Sequence, residues 1–237
     1  SWALSLHLIG YSLYDFFFLH VNRRGKRFMN EDTWVQAKAI RTLMQPEGEW
    51  AFSVFDSKWF REVGERISIS GGQFTEPLGF LYGQSWFSEA NDVEKTIERY
   101  VQKGTCFKCD TIEELGQKMG VPVDVFKATV DRYNELYRLG RDLDFGKRSE
   151  LLTSIDKPPY YALKYGPALL TVFGGMVTDI DMRILDKDSN PIPGLYAVGN
   201  IGGGFHGVDY PLLLNGNSHC RCLVQAHAAT DAIAGGE

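Results

Sequence analysis

The sequence predicts a mixed α and β chain in two parts, an α+β lobe over residues 1–165 and a strand–turn–helix segment over 166–237. Three observations carry that reading. Three helical patterns with their own start and stop signals lie between 92 and 140. A polar stretch ending in Pro158-Pro159 breaks the chain after them. Beyond the break, short apolar runs alternate with Asp/Asn turns and with Gly202-Gly203-Gly204, ahead of a helix-like tail.

Taken in order, "LHVNRRGKRFMNED" (19–32) reads as a strand, a turn at Asn22-Arg23-Arg24-Gly25 and a returning strand. In "TWVQAKAIRTLMQ" (33–45), Trp34, Ala37, Ile40, Leu43 and Met44 recur at the spacing of an amphipathic helix, with Asp32 or Thr33 as its N-cap. "WAFSVFD" (50–56) is an aromatic-rich strand and "SKWFREVGERI" (57–67) a short amphipathic helix. Residues 71–90, rich in Gly, Gln and Ser with Pro77 among them, read as a surface loop. "DVEKTIERYVQKG" (92–104) is a helix ending at Gly104. "DTIEELGQKMG" (110–120) opens on a capping-box pattern and stops at Gly120. "VPVDVFKATVDRYNELYRLG" (121–140) has Pro122 near its start and Gly140 past its end. "GRDLDFGKRSELLTSIDKPPYY" (140–161) reads as a linker or an extended crossing between lobes. Then come "GGMVTDIDMRIL", "DKDSNPIPG" and "LYAVGN", a strand, a turn and a strand, before the glycine turn and the final helix "NSHCRCLVQAHAATDAIAGG".

With 237 residues, 44% of them hydrophobic and 13% aromatic, the chain has ample material for a packed core. The net charge of −5 is mild and the 25 Lys and Arg are scattered, which argues against nucleic acid as a partner. Cys106 and Cys109 have the C-x-x-C spacing of metal knuckles and redox sites, but no matching second pair or nearby His. They read as structural thiols, as do Cys220 and Cys222, and no metal is expected. The richest apolar stretch, "YSLYDFFFLHV" (11–21), contains Asp15 and His20 and is far shorter than a bilayer-spanning helix. Ser1-Trp2-Ala3 leads straight into what reads as folded protein, so the start looks like the middle of something longer.

The glycine-rich patch sits at the end of "LYAVGN", where glycines let backbone approach a ligand. Asn217 and Ser218 are good N-caps, and the first amides of their helix face outward to an electron-rich edge. Tight packing accounts for the same glycines equally well, and both readings stand at this point.

The order of pieces adds to this. "PPYYALKYGPALLTVFGGMVTDIDMRILDKDSNPIPGLYAVGNIGGGFHG" (158–207) resembles the C-terminal part of the flavoprotein family that includes soluble fumarate reductases and 3-ketosteroid dehydrogenases. "VNRRGKRFMNED" is similar to that family's "VN-x-x-G-x-RF-x-NE" segment, and "KCDTIEELGQKMGV" looks like its capping-domain helices. The resemblance implies an α+β capping, substrate-lid domain over 1–165. It implies, over 166–237, the C-terminal portion of an α/β FAD-binding domain, Rossmann-like and of glutathione-reductase type. In the family the G-x-G-x-x-G fingerprint lies ahead of the capping domain; here the pattern is spelled only by Gly202–Gly207, near the C-terminus, so the implied N-terminal dinucleotide-binding part is a partner, in cis or as a separate chain.

The same comparison implies FAD as cofactor, with Gly174, Gly175, Gly199, Asn200, Gly203, His206, Gly216, Asn217 and Ser218 around it. Asn200 departs from the glutamate usual in fumarate reductases. On the substrate side the departures are larger. The proton-donating arginine of fumarate reductases is matched by Val35, a substrate-binding histidine by Thr171, and a carboxylate-clamping arginine by Tyr210. An apolar or aromatic pocket replaces a dicarboxylate clamp, and a dianion there would lack paired cations. Tyr210-Pro211 resembles the "TYPGPG" segment of ketosteroid dehydrogenases, which makes Tyr210 the candidate catalytic acid or carbonyl-polarising group; a packed tyrosine with a satisfied hydroxyl is the other reading. Tyr11 and Tyr14 fall where the family has a Glu and an Arg of its proton path, so they line the pocket or simply pack on a strand. His206 reads as flavin packing, Arg41 as a solvated face residue, and His219 and Arg221 as residues at the start of the last helix.

The expected function is an FAD-dependent oxidoreductase acting on a C=C or CH–CH bond beside a carbonyl or carboxylate, on a small-molecule unsaturated or carbonyl substrate that is bulkier or aromatic and not fumarate. A ketosteroid dehydrogenase-like activity and a catalytically silent chain unable to hold FAD by itself are the alternatives. The residues do not choose between the bacterial cytoplasm and the cell envelope.

Overall fold

The structure is a computed structural model that describes residues 17–33, 35–48, 50–66, 69, 93–167, 174–206 and 216–235. The chain divides into two compact units, Ser1–Ala168 and Leu169–Glu237.

The larger unit is built on four strands, β1 (Leu19–Val21), β2 (Ala51–Asp56), β3 (Cys106–Cys109) and β4 (Tyr160–Tyr165), in the antiparallel order β1-β2-β4-β3. Every residue of β2 is buried because both faces of the sheet are covered. On one face Phe55, Tyr161 and Leu163 pack with Trp59 and Val63 of α2 (Trp59–Arg66) and Ile97 and Tyr100 of α3 (Val93–Gln102). On the other, Phe52, Val54 and Ala162 pack with α4 (Ile112–Met119) and α5 (Val123–Leu139) through Leu115, Met119, Phe126, Val130 and Tyr133.

The sequence signals for α4 and α5 work as read. Thr111 accepts from Glu114 N at the start of α4, and Gly120 and Gly140 end the two helices at φ +69 and +67. Cys106 and Cys109 are three residues apart on a strand and so face opposite sides of the sheet, one in each core. Burial pushes the Cys106 thiol well above its ordinary range, as for an inert structural cysteine.

Three expectations change. First, the returning strand of the hairpin is reduced to a single bridge, Val21 to Arg27. The turn forms as read, with Asn22 Oδ1 accepting from Arg24 N and Lys26 N, but Arg27 then turns inward. Second, 140–161 is no linker: Asp142, Lys147, Leu151, Leu152 and Ile155 are buried in the larger unit, Asn134 holds Ile155 by two hydrogen bonds, and Tyr160-Tyr161 opens β4. Third, α1 (Val35–Leu43) presents its polar side inward. Lys38 and Thr42 are 1% and 0% exposed, whereas Ile40, Leu43 and Met44 stand out in solvent at 57%, 59% and 76%. The inward face meets polar groups, Thr42 Oγ1 lying 3.4 Å from Tyr165 Oη, which bonds His20 Nδ1 at 2.8 Å.

Arg27 is the hub of this unit. Its guanidinium makes two hydrogen bonds of 2.8 Å to Glu31 and two, of 2.9 and 2.8 Å, to Asp142, with all three side chains buried. The Lys147 ammonium adds Glu31 at 3.3 Å, Tyr133 Oη at 2.7 Å and the carbonyl of Phe17. Burial alone would raise both carboxyls. The charges of Lys147 and Arg27 outweigh it at Glu31, and the Arg27 hydrogen bonds with the Lys147 and Phe145 amides pull Asp142 down to about 2.

The smaller unit has one antiparallel pair, β5 (Arg183–Leu185) with β6 (Pro191–Tyr196), a short helical turn at Gly199–Ile201, and α6 (Asn217–Ala234). The Asp/Asn turn forms as read, Asp186 Oδ1 accepting from Asp188 N and Asn190 N.

Replacing Arg27 by Met leaves Glu31 and Asp142 buried without their partner, so the larger unit should lose about 3–5 kcal/mol in denaturant unfolding at neutral pH. The Asp142 pKa is depressed from 3.8 to about 2 in the folded state. Its stabilisation is therefore complete above the ordinary carboxylate range and lost as pH falls toward 2, and R27M should flatten that acid limb.

Candidate functional site

Two segments and one helix end meet in the smaller unit. Met176 N donates to Ile201 O and Gly203 N to Met176 O, both at 2.9 Å, so the chain around Met176 runs beside 201–203 through a parallel bridge. The approach is closer than a side chain permits. A Cβ on Gly175 would lie 2.4 Å from Ile201 O, and one on Gly203 2.9 Å from Gly175 N. Gly199 is at φ +68, a Cβ there would meet Cys222 Sγ at 3.2 Å, and its N–H donates to Gln225 Oε1 at 2.9 Å. These three glycines have packing reasons that need no ligand. One face of α6, formed by Arg221, Cys222 and Gln225, holds the 199–201 turn.

Gly174, Gly204 and Gly216 differ: all three are exposed and a Cβ at any of them would meet nothing within 4 Å among the described residues, although Gly204, at φ +78, keeps a backbone reason to be glycine. Gly216, at φ +79, is the N-cap of α6, and no side chain among the described residues caps that helix. Asn217 and Ser218 are thus the first helical residues, not the caps their types suggest. The orphan amides of the first turn and the helix dipole make this end a donor site with partial positive charge. Uncovered backbone beside such an end fits a planar cofactor whose edge carries electron-rich oxygen and nitrogen, as FAD does.

Electrostatics sharpen the picture. Asn200 is exposed, and its Oδ1 accepts from Arg221 Nη2 at 2.6 Å. Arg221 is 7% exposed, lies over the Phe205 ring at 5.1 Å, and has its Nε buried with no hydrogen-bond acceptor among the described residues. His206 is buried edge-on to Phe205. Burial first, and then the Arg221 charge, lower its pKa, which keeps the ring neutral at pH 7. Sequence reading set Arg221 aside as a helix-start residue. Its signal was there: residues 214–228 contain no Asp or Glu, so no acid lies within reach along the helix.

In the larger unit, Val35 is the first residue of α1. Tyr11, Tyr14, Thr171 and Tyr210 lie outside the described residues. The buried His20–Tyr165–Thr42 hydrogen-bond chain was not read from the sequence, where these residues are scattered over 145 positions. Arg41 is exposed. Among the described residues there is no group of His, Cys, Asp and Glu that could hold a metal ion, and no helix long and apolar enough to cross a membrane.

Comparison with known proteins bears on the same residues. The sequence model of the family described as "FAD binding domain" matches residues 18–217. Over 117 residues, 49% of this chain and 12% of the relative, the chain is 38% identical to NADH:acrylate oxidoreductase of Vibrio harveyi. It is 29% identical to the 3-oxosteroid 1-dehydrogenase of Mycolicibacterium smegmatis over 211 residues, 81% of this chain and 34% of that protein. Its structure superposes on the open conformation of a flavocytochrome c3 fumarate reductase with a TM-score of 0.64 at 26% identity, covering 95% of this chain and 34% of the other. The chain thus spans between about an eighth and about a third of the length of these proteins.

Two substitutions separate packing from ligand approach. Gly175→Ala should force backbone apart and lower the melting temperature of the flavin-free protein. Gly174→Ala should leave melting unchanged and weaken flavin binding, read by fluorescence titration, because its Cβ would meet none of the described residues.

Proposed function

Because this chain belongs to the FAD binding domain family, with FAD as its cofactor, we propose that it forms part of an oxidoreductase that reduces or forms a C=C bond beside a carbonyl or carboxylate. The observation that carries the reading is the start of α6 at Gly216, which no described side chain caps, together with the exposed backbone of Gly174, Gly204 and Gly216. The relatives' names support the bond type, since acrylate and fumarate carry an alkene next to a carboxylate and 1-dehydrogenation of a 3-oxosteroid forms one next to its ketone. FAD, when bound, supplies or accepts the hydride.

The chain's own residues have four tasks in this proposal. The α6 amides, with Asn217 and Ser218 in the first turn, stabilise negative charge at the cofactor edge, and Gly174, Gly204 and Gly216 leave room for it. Gly175, Gly199 and Gly203 hold the turn that borders it, and neutral His206 packs beside it. Tyr210 donates the proton to the alkene carbon next to the one that takes the hydride, or polarises the conjugated carbonyl. Tyr11, Tyr14, Val35 and Thr171 line the substrate pocket. None of these four is cationic, so a mono-carboxylate or neutral carbonyl compound of apolar or aromatic character fits better than fumarate.

In this reading the larger unit is the capping lobe and the smaller one the C-terminal part of the FAD-binding domain. Val177, Ile180, Leu223, Val224 and Ile233 of the smaller unit are 57–87% exposed, an apolar surface that the dinucleotide-binding part, in cis or as a separate chain, would cover. The 237-residue chain by itself is then catalytically silent. A ketosteroid dehydrogenase-like activity is the second reading, favoured by the Tyr210-Pro211 pair.

Tyr210→Phe in the full-length protein should lower kcat on the alkene substrate by roughly 100-fold or more while the flavin stays bound. Steady-state turnover and the flavin absorbance of the purified variant check both halves, and unchanged turnover removes Tyr210 from the mechanism.

A further inference from the structure

We infer that Arg221 recognises an anionic oxygen of the bound flavin cofactor, an inference that rests on the FAD-dependent reading above. Its surroundings are unusual for an arginine this deeply buried. At 7% exposure it faces an amide oxygen, that of Asn200, and a ring, that of Phe205, and no carboxylate among the described residues. Its Nε–H is buried and has no acceptor among the described residues.

The acids of the smaller unit that are described are engaged elsewhere. Asp179 and Asp181 pair with Arg183, Asp186 closes its own turn, Asp188 lies near Lys187, and Asp231 pairs with His227 at the far end of α6. A guanidinium cannot escape burial by losing its proton, as a lysine can. An unpaired buried charge is costly, so its retention points to a charge that arrives with a ligand.

Nearby groups add to the field and do not cancel it. The uncapped end of α6 lies four residues before Arg221 and is positive by its dipole. His206 is kept neutral, so it neither competes for an anion nor compensates the arginine. Asn200 fixes one arm of the fork through an uncharged acceptor, which positions the guanidinium without neutralising it. Two parts of FAD carry anionic oxygen, the phosphates and the pyrimidine edge of the ring once it is reduced.

The test uses the full-length protein and two variants. Arg221→Gln removes the charge, and Asn200→Asp neutralises it from the side while leaving Arg221 and its packing in place. Binding of FAD, FMN and riboflavin to the apoprotein is followed by fluorescence titration, and the midpoint potential of bound FAD by spectroelectrochemistry. Both variants should weaken FAD by roughly tenfold or more with riboflavin unaffected if the phosphates are recognised. They should keep FAD affinity and lower the midpoint potential if the reduced ring is recognised. Unchanged affinity and potential in Arg221→Gln overturn the inference, as does an effect of Arg221→Gln that Asn200→Asp lacks, since that marks packing and not charge. A parent protein that takes up no flavin at all overturns the FAD-dependent reading first, and this inference with it.

Discussion

The pairing of buried charge organises the larger unit. Arg27 forks to Glu31 four residues away and to Asp142 on the far side of α5, 115 positions along the chain, and Lys147 closes the cluster against Tyr133 and Phe17. One guanidinium thereby ties the turn after β1, the segment that leads into α1 and the 142–147 loop to one another. Such a cluster is poor as a source of net stability but demanding in geometry, since each member is costly to bury without the others. It also bears on the helix next to it. Glu31 accepts from His20 N at 3.4 Å, and His20 holds Tyr165, so the surface under α1 is polar and the helix turns Lys38 and Thr42 toward it.

The smaller unit breaks the rule that the larger one obeys. Its described apolar side chains are mostly exposed, with Ile184, Ala197 and Ala229 as the buried ones, and its buried arginine has no counter-ion among the described residues. Both features describe a surface organised around something other than its own core. The glycines divide accordingly: Gly175, Gly199 and Gly203 are required by backbone and side-chain contacts within the unit, whereas a Cβ at Gly174, Gly204 or Gly216 would meet none of the described residues. Membership of the FAD binding domain family gives the chain a cofactor, which the proposal places on that side.

Much of this was legible in the sequence because the signals are local. Thr111, Gly120, Pro122 and Gly140 mark the limits of α4 and α5 by their own backbone preferences, and the aromatic β2 and the Asp186–Asn190 turn read directly. What failed depends on partners distant in sequence. The periodicity of α1 does mark a helix, but the stripe it draws through Ile40, Leu43 and Met44 is the exposed one, because His20 and Tyr165 are brought under α1 by the sheet. The polar stretch at 140–161 resembled a linker because the charges of Asp142 and Lys147 say nothing about Arg27 and Glu31. Asn217 and Ser218 looked like caps by type, yet Gly216 takes that position. The family resemblance supplied the cofactor, whereas the substrate side was read only from departures at Val35, Thr171 and Tyr210 and stays a proposal.

The central claim is that the flavin of this protein exchanges a hydride with an alkene activated by a carbonyl or carboxylate. Anaerobic reoxidation of the reduced holoprotein, followed by flavin absorbance during titration with acrylate-type acids, enones and fumarate, tests it directly. The account predicts rapid reoxidation by an apolar or aromatic mono-carboxylate or enone, and slow or no reoxidation by fumarate. A flavin that stays reduced with every activated alkene, yet is reoxidised by a quinone or by dioxygen, would contradict it.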